Sequence, residues 1–270
     1  MTVEPDFPLH GRLNEALTKA RGPQRVPEGK GGHVFVDGQL YRILDIKSRI
    51  FGRAAFGYSV NEKELVHLCD HVDVGTLGFK GLRTTTISPL LKLTQLRMLS
   101  LWWVQKLADI SPLAGMDLEV LVLDDIRNNQ DIAAVGEIAG LRALTVSGAM
   151  HNDHKIASLL PLTQLDNLEE LKFIAMKLDD DTLRPLAECP ALRDAQLANT
   201  YPTEDYAYLT AKRPDLRSTA LAAYQPAGQG KEVMVTGRRK PFLHLEKDAE
   251  RLAKYQAKWD ALVAGFAADA

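Results

Sequence analysis

Apolar residues recur through the middle of this chain as a fixed triplet in which the second and third members alternate with one other residue. It is clearest at Leu96, Leu99, Leu101 and at Leu118, Leu121, Leu123, and it returns at Leu141, Leu144, Val146 and at Leu168, Leu171, Phe173. Weaker copies are Val74, Leu77, Phe79 before these and Leu192, Ala195, Leu197 after, with a degraded one at Leu216, Thr219, Leu221. The triplets begin 22, 22, 23, 27, 24 and 24 residues apart, an interval that marks a structural repeat. Alternation such as Leu99-Ser100-Leu101 predicts a short strand with one face buried.

A unit of this size cannot bury its apolar edge alone, so neighbouring units must stack, with their strands side by side in a parallel sheet. The return limb of each unit carries Ile110, Leu113 and Met116, or Ile156, Leu159, Leu160 and Leu162, and is expected to pack on the sheet's inner side. The result is a quasi-one-dimensional solenoid with two ends to cover. Before the array, Leu13, Ala16, Leu17 and Ala20 share a helical face. A hairpin follows, His33 to Val36 and Gln39 to Ile43 joined at Asp37-Gly38, then a helix from Asn61 to Val72 with Asn61 as its N-cap. After the array, Glu232 to Val235 and Pro241 to Leu245 flank a turn. Leu252, Tyr255, Trp259, Leu262, Val263 and Phe266 then form the apolar stripe of a final helix, expected over residues 250–266 as the cover of the last repeat.

These triplets resemble the leucine-rich repeat family over roughly residues 73–221. Thr86-Ile87-Ser88-Pro89-Leu90 and Asp109-Ile110-Ser111-Pro112-Leu113 look like the short bacterial, internalin-like class. Leu186-Ala187-Glu188-Cys189-Pro190-Ala191-Leu192 is more similar to the cysteine-containing class. The resemblance implies an α/β fold: a solenoid with a short-stranded parallel sheet and α+β caps, divided as residues 1–72, 73–221 and 222–270. One departure stands out. Where the family carries asparagine just beyond the strand, this chain has Leu82, Val104, Ile126, Ala149, Met176 and Thr200, so the turn's backbone groups need other partners.

Charge narrows the function classes. Lys+Arg 33 against Asp+Glu 35 leaves a net charge of -2, which argues against nucleic-acid and polybasic membrane binding. No apolar run approaches the ~18 residues of a membrane span. Met1 to Pro8 has no secretory pattern, and two cysteines, Cys69 and Cys189, fit a cytoplasmic protein. The P-loop, Gly-x-Ser-x-Gly and His-Glu-x-x-His patterns are all missing, so neither catalysis nor a cofactor is expected. Gly29-Lys30-Gly31-Gly32 follows no strand and reads as a loop. His67 and His71 have i, i+4 spacing, and His151 and His154 cluster in the longest repeat, but zinc normally takes three or four protein ligands.

The resemblance also places the residues between and just after the strand leucines on the concave side. Those columns include Thr76, Met98, Val120, Ala143, Glu170 and Asp194, then Gly78, Ser100, Val122, Thr145 and Lys172. Beyond them come Lys80-Gly81, Trp102-Trp103 and Asp124-Asp125. Two adjacent indoles with no core to fill mark either a binding hot spot or a surface over which the N- or C-terminal extension folds, unless one indole turns into the convex core. The paired carboxylates one rung away suit a basic side chain by stacking and charge-assisted hydrogen bonding. The expected function is therefore non-catalytic protein binding, by an inhibitor or immunity protein for example. Its partner would present basic side chains to Trp102, Trp103, Asp124, Asp125, Lys80, Ser100, Val122, Thr145 and Lys172. The rival readings are an enzyme with its chemistry in the terminal segments and a homo-oligomeric scaffold.

Overall fold

The structure, a computed structural model, describes residues 4–22, 31–104, 106–125, 131–148, 155–174, 177–228 and 230–269. The chain runs α1 (Pro8–Arg21), β1 (His33–Val36), β2 (Gln39–Arg42), β3 (Ile50–Tyr58), α2 (Glu62–His71) and β4 (Val72–Lys80). Next come β5 (Met98–Trp102), β6 (Val120–Asp124), α3 (Ala133–Gly136), β7 (Ala143–Ser147), β8 (Lys155–Ile156), β9 (Glu170–Ile174), β10 (Lys177–Leu178) and β11 (Asp194–Leu197). The last elements are α4 (Thr203–Lys212), β12 (Tyr224–Pro226), β13 (Glu232–Val235), β14 (Phe242–His244) and α5 (Ala249–Ala268).

The main sheet has the order β11-β9-β7-β6-β5-β4-β3-β1-β2. From β3 to β11 every pairing is parallel, and β1 and β2 extend the sheet antiparallel. The register aligns the repeat, with Leu77, Leu99, Leu121, Leu144, Leu171 and Ala195 lying side by side and fully buried. On the return limbs, one-turn 3₁₀ segments at Ser88–Lys92, Ser111–Gly115, Leu160–Gln164 and Arg184–Glu188 each carry proline near the start, where a missing N–H costs nothing. Leu90, Leu113, Leu162 and Leu186 drop from them into the core. The fold is a leucine-rich-repeat solenoid of α/β class.

Ordered turns take the place of the missing asparagines. Ser59, Gly81, Trp103 and Asp125 each have a left-handed backbone, with φ of 51°, 76°, 58° and 54°. Each amide then donates to the next rung, to the carbonyl oxygens of Lys80, Trp102, Asp124 and Ser147 at 2.8–3.1 Å. The ladder therefore continues through the backbone, and the following residues Val60, Leu82 and Val104 are free to enter the core. Ile126, Ala149 and Met176 lie outside the described residues, as do the His151/His154 cluster and Gly29-Lys30.

Four details differ from the sequence expectation. The parallel sheet starts one rung early, at β3, inside the segment assigned to the N-terminal cap. Leu160 does not join the core; it opens its 3₁₀ turn pointing outward and is 57% exposed, while Leu159 and Leu162 fill the interior. The degraded triplet at Leu216 makes only a single bridge, Arg217 to Asp194, before the chain turns away. The C-terminal hairpin of β13 and β14 gains a third strand, β12, and α4 is added as a platform for α5. Trp259 of α5 reaches the main core, and Phe266 meets Tyr208 edge-on at 5.5 Å.

Candidate functional site

The sheet face opposite the leucine core is expected either to be open to a partner or to be covered by a terminal segment, and α1 crosses most of it. Fourteen residues of helix rise about 21 Å, close to the width of the five strand spacings from β9 to β3 at about 4.8 Å each. Leu9, Leu13 and Leu17 lie one turn apart and pack on Met98, Val120, Val122, Ala143 and Phe56. The column of small and apolar residues in the middle of the face is the floor of this contact. Gly78 permits it: a Cβ there would sit 2.9 Å from Leu17 and 2.7 Å from Phe56.

The start of α1 is pinned by two acidic residues of the sheet. Both oxygens of Glu170 are used, accepting from the Leu9 amide at 2.8 Å, the His10 amide at 3.2 Å and His10 Nδ1 at 2.6 Å. A buried carboxylate at a helix N-terminus complements the free N–H groups and the helix dipole. Burial pushes the Glu170 acidity towards the neutral form, but the bonds from His10 and the two amides outweigh it and hold the pKa below its usual value. Asp194 accepts from the Asp6 amide at 2.8 Å and pairs with Arg217. Lys172, with its pKa lowered by burial, turns its ammonium over the Phe7 ring at 4.3 Å.

What α1 leaves uncovered is a ledge along the C-terminal ends of the strands. The register aligns Tyr58, Lys80, Trp102, Asp124, Ser147 and Ile174 across six strands. Trp102 is 38% and Trp103 49% exposed, with ring centroids 5.5 Å apart and planes at 52°. Lys80 Nζ sits 4.5 Å from one ring centre and 4.6 Å from the other. Asp124 is half-buried, and its Oδ1 accepts from the Ser147 hydroxyl at 2.8 Å. Burial chiefly raises its pKa, while the Ser147 bond opposes the shift. Asp125, in the left-handed turn, is 3% exposed.

The nine residues expected to meet a partner are thus divided. Trp102, Trp103 and Lys80 come together at the surface. Val122 packs under α1, and Thr145 on the next rung is buried. Ser100 is half-buried and Lys172 is held on Phe7. The expected aromatic seat for a partner's basic side chain is already filled by Lys80, and the carboxylates meant to hold that side chain are turned to Ser147 and the interior. Sequence reasoning missed Tyr58, because its rung lacks leucines, and it left open whether a terminal segment such as α1 covers the face. The signal for the latter was present: Met98, Val120, Val122 and Ala143 form an apolar column that needs a cover.

His67 and His71 stack at 4.1 Å, with His67 Nε2 bonded to the Ile46 carbonyl and His71 Nδ1 to the His67 carbonyl. Among the described residues no group of three or more His, Cys, Asp or Glu is placed to hold a metal. Burial raises the thiol pKa of Cys69 to about 12 and of Cys189 to about 11, which leaves both unreactive. Among the described residues no helix is long and apolar enough to cross a membrane.

No family profile and no curated protein matches the sequence. Among solved structures, the chain is similar to an internalin of Listeria monocytogenes at 20% identity and TM-score 0.44, over 67% of this chain and 50% of that one. It is similar to internalin C2 of the same organism at 18% identity and TM-score 0.45, over 81% and 88% of the two chains. A leucine-rich-repeat protein of Leptospira interrogans aligns at 18% identity and TM-score 0.40, over 58% and 50%. The chain thus spans half the length of the first and third of these proteins.

Proposed function

We propose that this chain is a non-catalytic, cytoplasmic protein-binding protein, of the kind that neutralises an enzyme or toxin, and that Trp102, Trp103 and Lys80 seat its partner. The observation that carries this reading is the backbone at Trp103. A left-handed conformation is unfavourable for a bulky side chain, and one rung earlier the same position is glycine, Gly81. The cost is not repaid by burial, since about half of the indole stays in water. The turn itself recurs at Ser59, Gly81 and Asp125 and serves the ladder; what sets Trp103 apart is a bulky, half-exposed side chain on a turn where glycine would do. Tryptophan is also the residue type that most concentrates binding energy, through large contact area and few rotors.

Role reaches beyond fold here, because one fold serves many functions. The test is affinity. Trp102→Ala and Trp103→Ala are each expected to weaken binding of a partner purified with the native protein by about 2 kcal/mol or more. Unchanged affinity in both variants would remove the ledge from the function.

A further inference from the structure

Three cations stand at one end of the ledge. The Lys80 ammonium lies on both indoles, Arg21 of α1 is exposed with its guanidinium 5.6 Å from the Tyr58 ring centre, and exposed Arg83 donates to the Ser59 carbonyl at 2.8 Å. Among the described residues none of the three is paired with a carboxylate. The acidic residues that follow along the row are drawn back from the surface. Asp124 is half-buried with one oxygen held by the Ser147 hydroxyl, and Asp125 lies inside the turn at 3% exposure. The groups exposed at this end of the ledge are therefore aromatic and cationic, and α1 bounds them on one side.

We infer that the ledge takes an acidic segment of a partner protein, an aspartate or glutamate meeting Lys80 while a neighbouring apolar or aromatic side chain lies on Trp102 and Trp103. This is opposite in charge to the basic partner expected from sequence, and it rests on the ledge being the partner site. The two indoles hold Lys80 in place, so its ammonium reaches a carboxylate with little further loss of rotamer freedom. From Tyr58 to Asp124 the ledge crosses three strand spacings, about 14 Å, the reach of about four residues of extended chain. Carboxylate and aromatic anchor are thus within one short linear segment.

A display library of random twelve-residue peptides, selected on the full-length protein, tests this. Selected clones are then measured on the wild type, Lys80→Arg, Lys80→Gln and the double variant Trp102→Ala/Trp103→Ala. The expected clones carry Asp or Glu beside an aromatic residue and bind more weakly as salt rises. They should lose affinity about tenfold or more on Lys80→Gln and keep most of it on Lys80→Arg. Clones that depend on the tryptophans but are basic, or indifferent to Lys80→Gln, overturn the charge assignment and leave the ledge standing. Clones bound equally well by the double tryptophan variant, or no selected clone at all, overturn the ledge itself.

Discussion

Replacing Trp103 by alanine and, separately, by glycine isolates the strain that the functional reading depends on. Both changes remove the same indole. A tryptophan buries about 150–250 Å² when fully covered. With 49% of this one exposed, the area lost is about 100 Å², an upper bound of about 2.5 kcal/mol for either variant. The two then differ only in backbone. At φ 58° an L-residue pays about 1–2 kcal/mol that glycine does not, against about 0.5–1 kcal/mol for glycine's greater freedom when unfolded. Glycine is therefore expected to be the more stable replacement by about 0.5–1 kcal/mol, or about 2 °C in Tm for a chain of this size. Urea denaturation curves with a shared slope measure the difference. At a position with ordinary negative φ the order reverses, with alanine ahead by about 0.5–1 kcal/mol. An alanine variant as stable as the glycine variant, or more so, would refute the left-handed turn and with it the argument from strain.

Two further outcomes follow from the contacts of α1 and α5. Glu170 has its folded pKa held below the usual value near 4.5, so its stabilisation is complete above that value and is lost as pH falls through the folded pKa. As pH falls below about 4.5 the wild type should lose stability that Glu170→Gln, already lacking the charge, does not lose; parallel acid limbs in the two denaturation profiles would remove Glu170 as the pin of α1. Trp259 is 5% exposed and joins the main core, so Trp259→Ala should cost about 3–5 kcal/mol in a chemical melt, and a neutral change would mean that α5 does not cover the array.

The rungs were legible because their leucines repeat at a fixed interval and every copy faces the same core. The first rung was not, and its neighbours explain why. A Cβ at Gly57 would lie 2.7 Å from the Phe79 ring, and one at Gly52 would lie 2.6 Å from Val36. Large side chains on either side fill this rung, so Gly52, Ala55 and Gly57 stand where later repeats carry branched residues. The capping box at Asn61 and Glu64 and the two-residue turn at Asp37-Gly38 were readable because each is settled by residues close in sequence. The path of α1 is settled by residues far off in sequence, from Phe56 to Ala143 beneath it and Glu170 at its start, 160 or more positions away. The stripe Leu13, Ala16, Leu17, Ala20 announces a helix and the column Met98, Val120, Val122, Ala143 a face to cover, but only the folded array brings the two together. For the same reason the tryptophans were identified as exposed aromatics while their neighbours were misjudged. The register predicts that Lys80 is adjacent to Trp102, but not that it lies on both rings.

Hydrogen exchange of the full chain, with and without a partner that co-purifies with it, addresses the central claim most directly. If α1 is a fixed part of the fold and the ledge is the contact surface, binding slows exchange at residues 80–83 and 102–104, and the amides of residues 9–21 are protected equally in both states. Protection gained only on the return limbs or along α5 would contradict the account. So would faster exchange across α1 on binding, because the partner would then be displacing the helix and using the face beneath it.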